Sequence, residues 1–146
     1  MTIRPVRLED SARVAALSGE LGYPATADVM HSRLRSLQNR TDRAVLVACA
    51  DHDVVGWIDV GLAGHLQSGD YAEIGGLVVS ERVRGQGIGR ALVEAAEAWA
   101  AAKGLGTMLV RSQIARDKAH GFYLREGYER TKTSAVFQKK LDPPDR

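Results

Sequence analysis

Apolar residues recur along the chain with two different spacings, and these spacings predict a mixture of helices and strands. Apolar residues at every third or fourth position predict one helix after Asp10, ending at Gly22, and a second helix after Thr26. Four stretches rich in apolar and β-branched residues predict strands at residues 2–7, 44–50, 54–63 and 71–79. The order of these elements predicts a mixed α/β fold.

Two features between and within the strands refine this pattern. The segment Asp51-His52-Asp53 predicts a hairpin turn, and residues 64–70 predict a loop before the fourth strand. That strand contains the pair Gly75-Gly76. Glycine weakens a strand unless the backbone bulges or another group approaches it closely, so the pair marks a place of that kind.

The next part of the chain predicts a strand–helix–strand unit. A long helix follows the glycine-rich turn at residues 84–89, and Gly104 is suited to its C-terminal cap. Its predicted inward face carries Ile88, Leu92, Ala95, Ala96 and Trp99. Residues 107–111 predict a strand, and a crossover of this length implies that it runs parallel to the strand at residues 71–79.

One helix and one hairpin are predicted in the last part of the chain. The helix at residues 116–126 ends at Gly127. Residues 128–130 and 135–141 predict two short strands that complete the sheet.

Composition favours one intracellular globular domain. Of the 146 residues, 45% are hydrophobic and 26% charged, which predicts a single domain over residues 1–141 and a disordered tail at residues 142–146. The longest apolar run, residues 44–50, is too short to span a membrane, and no signal peptide is apparent.

Cys49 is the only cysteine, which favours the cytoplasm. We interpret it as a small buried apolar residue rather than a nucleophile, because no histidine or basic residue accompanies it in a catalytic pattern.

Charge and histidine spacing argue against two classes of partner. Lys and Arg number 20 and Asp and Glu 18, giving a net charge of +2 that is spread along the chain. The densest basic stretches, residues 82–90 and Lys139-Lys140, are not interleaved with aromatic residues, so nucleic acid is not an expected partner. The four histidines lack the spacing of metal ligands, so no metal is expected.

The glycine-rich turn is the most informative stretch. Its glycines let several backbone amides point into one concavity, and the helix that begins there adds about +0.5 charge from its dipole, so the turn suits a phosphate. The alternative is a tight connection that binds nothing. The dinucleotide fingerprint requires a third glycine where Arg90 stands, and the Gly-Lys-Ser/Thr ending of nucleotide hydrolases is absent.

The pattern Arg84-x-x-Gly87-x-Gly89 resembles the pyrophosphate-binding motif of the GNAT acetyltransferase superfamily. The later segment at residues 119–128, in which a Phe122-Tyr123 pair precedes Gly127, and the opening Ile3-Arg4-Pro5 are also similar to family members. The resemblance covers nearly the whole chain. It implies the GNAT acyl-CoA N-acyltransferase fold, an α/β fold with a mixed sheet of six to seven strands and about four helices.

The resemblance also implies where acetyl-CoA binds as cosubstrate. The pantetheine arm is expected beside the backbone of Leu77, Val78 and Val79, and Gly75-Gly76 gains a purpose as a bulge that opens the sheet. The pyrophosphate is expected on the turn formed by Arg84, Gly85, Gln86, Gly87, Ile88, Gly89 and Arg90. Arg116 stands where the family often has an asparagine that contacts pantetheine, and it is a candidate to reach a CoA phosphate instead.

Two catalytic residues follow from the same resemblance. Tyr123 occupies the general-acid position, where a hydroxyl protonates the departing thiolate; packing of the helix is the alternative role. Glu73 is the candidate general base, with Asp59 and Asp70 as alternatives, and an exposed carboxylate without a role is the other interpretation. No activated nucleophile is apparent, so direct attack of the amine on the thioester is expected.

The resemblance therefore implies an N-acetyltransferase that acts on a primary amine, with a small-molecule acceptor favoured. A protein or peptide acceptor, or a non-catalytic acyl-CoA-binding regulatory module, are the alternatives. The acceptor pocket is expected between residues 19–40, the loop at residues 64–70 and residues 128–134. The resemblance also allows a homodimer.

Overall fold

The computed structural model describes residues 1–111 and 117–143 of the chain. They belong to two compact units, residues 1–111 and the described part of residues 112–146, and each is described by itself. The first unit contains, in chain order, β1 (Thr2–Pro5), α1 (Ser11–Leu21), α2 (Ala27–Leu37), β2 (Arg43–Ala50), β3 (Asp53–His65), β4 (Gly69–Val79), α3 (Ile88–Ala102) and β5 (Met108–Val110). Short 3-10 turns at Leu8–Asp10 and Glu81–Val83 precede α1 and α3. The second unit contains α4 (Asp117–Arg125).

The five strands form one mixed sheet in the order β1-β2-β3-β4-β5. The first three pairings are antiparallel, whereas β4 and β5 are parallel, as the crossover through α3 predicted. Asp51 and His52 form the predicted hairpin turn, and both have the positive φ angles (51° and 65°) that a two-residue turn demands. The loop predicted at residues 64–70 is shorter than expected, because Gly64 pairs with Asp70 and His65 with Gly69. Only residues 66–68 connect β3 to β4.

Helices cover both faces of the sheet. Val14 and Leu17 of α1 and Leu34 of α2 pack in one buried cluster with Val45 and Val47 of β2, and we call this side of the sheet the α1–α2 face. On the other side α3 packs, since a side chain at Gly56 would meet Leu92 at 3.2 Å and Ile88 at 3.5 Å. Within α3, Ile88, Leu92 and Ala96 are buried as predicted, but Val93 and Ala100 are buried where Ala95 and Trp99 were expected. No helix within the described ranges is long and apolar enough to cross a membrane.

Asp10 lies at the N-terminal end of α1, as predicted, but its carboxylate does not cap that helix. It accepts hydrogen bonds from both terminal nitrogens of Arg4 (2.8 and 2.9 Å) and from the backbone amide of Arg7 (2.7 Å). The residue is 6% exposed. The hydrogen bonds from Arg4, above all, hold the pKa of Asp10 below its ordinary value. The carboxylate thus ties β1 to the turn that leads into α1.

We expect Asp10→Asn to lower the free energy of unfolding by about 2 kcal/mol at pH 7, because a hydrogen-bonded ion pair with little exposure loses one charge. The folded-state pKa of Asp10 lies below its unfolded value, so the stabilisation is present above the unfolded pKa and disappears as pH falls through the folded one. Urea unfolding at pH 7 and pH 3 checks both effects. A variant that is as stable as the parent at pH 7 contradicts the prediction, and Asp28→Asn, on the exposed first turn of α2, is the matched control.

The second unit departs from the predicted strand count. Helix α4 is followed by Gly127 at φ 90°, which confirms the predicted stop, but residues 128–143 contain no strand. The predicted final hairpin at residues 128–130 and 135–141 is therefore wrong, and the described sheet has five strands rather than six or seven. Short segments form strands only where another strand pairs their backbone groups, and the composition of a segment alone does not supply that partner.

Two predictions in this part of the chain are not tested. The predicted start of α4 at residue 116 and the last three residues of the predicted tail lie outside the described residues. The single domain over residues 1–141 stays a prediction.

Candidate acetyl-CoA and acetyl-transfer site

Strands β4 and β5, the last two strands of the described sheet, part after Ile74. Their parallel pairing extends from Ala72 with Met108 to Ile74 with Val110, while β4 continues to Val79. Beyond Ile74, β4 pairs with β3 on one side, and no strand of the described residues lies on its other side. Leu77, Val78 and Val79 therefore present one edge of backbone groups to which an extended ligand arm could add as a further strand.

A bulge marks the same point. Asp59 of β3 is opposite Gly76 and the next residue, Val60, is opposite Ile74, so Gly75 is the extra residue on β4. The predicted bulge is thereby confirmed, and a bulge bends a strand where its pairing ends. A side chain at either glycine would crowd a side chain of β3. A side chain at Gly75 would begin 2.9 Å from a carboxylate oxygen of Asp59, and one at Gly76 would begin 3.1 Å from the ring of Trp57.

The glycine-rich turn connects β4 to α3. Gly85 and Gly87 have φ angles of 83° and 78°, which glycine adopts without strain. Gly87 caps α3, whose first internal hydrogen bond runs from the Ala91 amide to the Gly87 carbonyl (3.1 Å). The amides before Ala91 thus lie at the positive end of the helix dipole, where amides have no acceptor within the helix. The turn is exposed except for Ile88, which is 4% exposed and anchors it to the core.

Two arginines flank the turn with most of their side chains in solvent. Arg84 lies between the end of β4 and the turn, and its Nε is 3.4 Å from the Val79 carbonyl. Arg90 forms an ion pair with Glu94 one turn further along α3, at 3.0 Å. Their side chains are 56% and 69% exposed, so each is able to move towards an anionic ligand on the turn. Arg116, the third arginine predicted for this ligand, lies outside the described residues.

Glu73 lies on β4 immediately before the strands part, and its partner is a residue that the sequence analysis did not identify. Arg111, the first residue after β5, donates from Nε to Oε1 of Glu73 at 2.9 Å. This hydrogen bond is the main reason that the pKa of Arg111 is raised. The predicted parallel strands implied that the ends of β4 and β5 lie side by side, but only the observed register, Glu73 opposite Leu109, shows that Arg111 reaches Glu73.

The other two candidates for the base are placed differently. Asp59 is held by Arg43, whose Nη2 is 2.9 and 2.8 Å from its two carboxylate oxygens. Asp70 pairs with Gly64 near the hairpin end of β4, an odd number of residues from Glu73 and therefore on the opposite face of the strand. Of the three carboxylates, Glu73 is the one beside the opening between β4 and β5.

Tyr123 belongs to the second unit. On α4 its ring makes edge contacts with Phe122 (5.2 Å between ring centroids) and with Tyr128 (5.8 Å). These contacts fit the packing role that the sequence left open, and they leave the catalytic role as a proposal. Within the described ranges, no group of three or more His, Cys, Asp and Glu side chains could hold a metal ion.

Comparison with known proteins gives the family. A sequence profile of the acetyltransferase (GNAT) family matches residues 14–128. An aminoglycoside N(6')-acetyltransferase type 1 of Stenotrophomonas maltophilia is 29% identical over 97% of this chain and 95% of its own length. An aminoalkylphosphonate N-acetyltransferase of Salmonella typhimurium is 33% identical over 88% of this chain and 85% of its own length.

Solved structures agree on the fold. An aminoglycoside 6'-N-acetyltransferase of Acinetobacter haemolyticus has a TM-score of 0.85 at 18% identity, covering 97% of this chain and all (100%) of its own. An aminoglycoside N-acetyltransferase in complex with CoA has a TM-score of 0.85 at 18% identity, covering 96% and 95%. The chain therefore belongs to the acetyltransferase (GNAT) family and is an acetyl-CoA-dependent N-acetyltransferase.

Proposed function

We propose that this enzyme transfers the acetyl group of acetyl-CoA to a primary amine of a small molecule, by direct attack in a ternary complex. The observation that carries the proposal is the unpaired edge of β4, which leads directly into the glycine-rich turn at the start of α3. The small-molecule acceptor is supported by the relatives, which are named for aminoglycosides and aminoalkylphosphonates and are matched over most of their length.

Acetyl-CoA carries chemical groups that suit both the strand edge and the turn. Its pantetheine arm carries amide groups that can pair with the edge of Leu77–Val79 in the manner of an added strand. Its pyrophosphate carries negative charge that suits the amides of the turn from Arg84 to Arg90 and the dipole of α3. Arg84, Arg90 and Arg116 supply compensating positive charge. In this arrangement the thioester lies near the bulge at Gly75-Gly76, where β4 and β5 part.

The acceptor must lose a proton before it attacks. An alkyl amine with a pKa near ~10.4 is neutral in about one molecule in two thousand at pH 7, which costs about 4.6 kcal/mol. A carboxylate that takes the proton, directly or through one water, offsets part of this cost. We assign this role to Glu73, because it is beside the opening and 30% exposed, so an amine can approach it.

The departing thiolate must gain a proton. We assign this transfer to the hydroxyl of Tyr123, because a phenol ordinarily carries its proton at neutral pH. A phenol titrates near ~10 and a thiol near ~8.5, so the transfer is uphill by only about 2 kcal/mol. The attacking nitrogen releases a second proton as the amide forms, and this proton restores the hydroxyl of Tyr123, while the proton on Glu73 leaves to solvent.

The experiment that tests the proposal measures release of CoA thiol with a panel of small amines and amine-containing peptides, alongside calorimetry with acetyl-CoA. We expect binding of acetyl-CoA and turnover with at least one small amine. Turnover with peptides alone would favour a protein acceptor. Binding without turnover for any acceptor would favour a regulatory module.

We expect Glu73→Gln to lower kcat/KM for the amine about 100-fold at pH 7 and to leave the Kd for acetyl-CoA unchanged, because the variant keeps its shape but no longer accepts a proton. The deficit should shrink as pH approaches ~10, where the acceptor is already neutral. Glu9→Gln, an exposed glutamate on the turn before α1, is the matched control. A deficit that is the same at pH 7 and pH 10 argues against the role of Glu73 as base.

A further inference from the structure

One charged side chain from each of four adjacent segments lies on the α1–α2 face, and together they form a row that ends beside the opening between β4 and β5. We call these four residues the charged row: Arg43, Asp59, Glu73 and Arg111. Arg43, Gly61 and Glu73 are successive partners across β2, β3 and β4, and residues opposite each other in a sheet point to the same face. Asp59 is two residues from Gly61, and Arg111 is two residues from Leu109, the partner of Glu73. The alternation of side chains along a strand therefore places all four on one face.

The charged row consists of two ion pairs and carries no net charge. Arg43 holds Asp59 at 2.8 Å, and Arg111 holds Glu73 at 2.9 Å. The four side chains are exposed to solvent by 25% to 56%. Gly61 stands between the two pairs and has no side chain, so nothing from β3 separates Arg43 from Glu73 within their row. The row is thus an accessible surface in which each carboxylate is accompanied by a guanidinium.

We propose that the charged row selects acceptors that carry an anionic group together with the amine, such as an aminocarboxylate or an aminophosphonate; this rests on the proposed function. The ammonium group of such an acceptor is attracted to Glu73 and its anionic group to Arg111. The guanidinium of Arg111 has five N–H donors, of which the contact with Glu73 uses one and a hydrogen bond with the Tyr71 side chain uses another. Guanidinium binds carboxylate and phosphonate oxygens with strong, directional hydrogen bonds.

The same row disfavours acceptors with several positive charges and no negative one. Such a polycation binds best to carboxylates that have no cationic partner, whereas both carboxylates of the row have an arginine within 2.9 Å. Each added ammonium group would meet a guanidinium as well as a carboxylate. The net charge of +2 on the whole chain gives no long-range attraction for a polycation either.

The first test uses the thiol-release assay to compare three amines of similar length, β-alanine, 2-aminoethylphosphonate and propylamine, with the longer polycation spermine. We expect kcat/KM for β-alanine or 2-aminoethylphosphonate to exceed the values for propylamine and spermine by at least about 10-fold. The two zwitterions distinguish a carboxylate-specific from a phosphonate-specific site. Equal or higher kcat/KM for spermine or propylamine would overturn the proposal.

The second test changes Arg111 and measures the ratio of kcat/KM for the better zwitterion to that for propylamine. In Arg111→Met the ratio should fall at least about 10-fold, because the zwitterion loses its anion contact while propylamine meets an uncompensated Glu73. Arg111→Lys should restore part of the ratio. Arg40→Met removes an arginine from an exposed pair with Asp42 and should leave the ratio unchanged. An equal loss for both amines in Arg111→Met would show that Arg111 only supports Glu73 and would overturn the proposal.

The outcomes separate this inference from the function on which it rests. Binding of acetyl-CoA without turnover for any amine refutes both. Turnover of amines without a preference for the zwitterions refutes the inference alone and leaves the proposed function standing.

Discussion

Replacing Gly87 by alanine is expected to weaken acetyl-CoA binding at least about 10-fold, while the same substitution at Gly104 leaves the affinity unchanged. Gly87 caps the N-terminus of α3 with a φ of 78°, in the middle of the turn that we assign to the pyrophosphate. A methyl group there meets no neighbouring protein atom within 4 Å, so a clash within the protein would not account for the loss of affinity. The methyl group favours rotation of the backbone out of the left-handed region, which turns the neighbouring amides away from a bound phosphate.

Gly104 is a close match as a control because it follows the other end of the same helix. It has the same φ of 78° as Gly87, and a methyl group there also meets nothing within 4 Å. Both variants should lose about 1 kcal/mol of folding free energy from the strained backbone. A difference in affinity between them therefore reports the ligand and not the stability of α3. Isothermal titration calorimetry with acetyl-CoA measures the two affinities. Equal Kd values for the two variants would contradict the assignment of the pyrophosphate to the turn.

The sequence predicted those parts of the fold in which one local signal is sufficient. Thr26 caps α2 by accepting from the Val29 amide at 3.1 Å, and Gly22 ends α1 at a φ of 98°. The turn at Asp51 and His52 and the cap near Gly104 also depend only on neighbouring residues. The parallel pairing of β4 and β5 was predictable as well, because few connections other than a helical crossover join two such strands.

The parts that the sequence did not predict depend on contacts between distant segments. Asp10 is a good capping residue by type, but Arg4 offers its carboxylate two hydrogen bonds, and the ion pair forms instead of a cap on α1. Arg111 reaches Glu73 because of the register between β4 and β5, and the sequence of one strand by itself does not determine that register. The prediction of a final hairpin was wrong for a related reason. Residues 128–141 have a strand-like composition but no strand partner among the described residues.

In the candidate site, too, the sequence predicted features that depend on neighbouring residues and missed a contact between distant segments. The sequence located the bulge and the glycine-rich turn to which we assign acetyl-CoA, because both are marked by glycines within one segment. It named Glu73 on the strength of a family resemblance, yet it missed that an arginine 38 residues later in the chain holds this carboxylate. The residues that we assign to the cosubstrate are thus easier to find than those that we propose for the acceptor, since the charged row combines side chains from four separate segments.

Replacing Tyr123 by phenylalanine is expected to lower kcat about 100-fold and to leave the Kd for acetyl-CoA within about twofold of the parent. The loss is that of a general acid, which contributes about 10²–10⁴-fold to a rate. The phenyl ring keeps the edge contacts with Phe122 and Tyr128, at 5.2 and 5.8 Å between centroids, so the packing of α4 is retained. Phe122→Leu perturbs that packing and keeps the hydroxyl. If Tyr123 serves only to pack α4, Phe122→Leu should lower kcat more than Tyr123→Phe does. If Tyr123 protonates the thiolate, Tyr123→Phe should have much the lower kcat of the two variants. Its thermal unfolding midpoint should then stay near that of the parent.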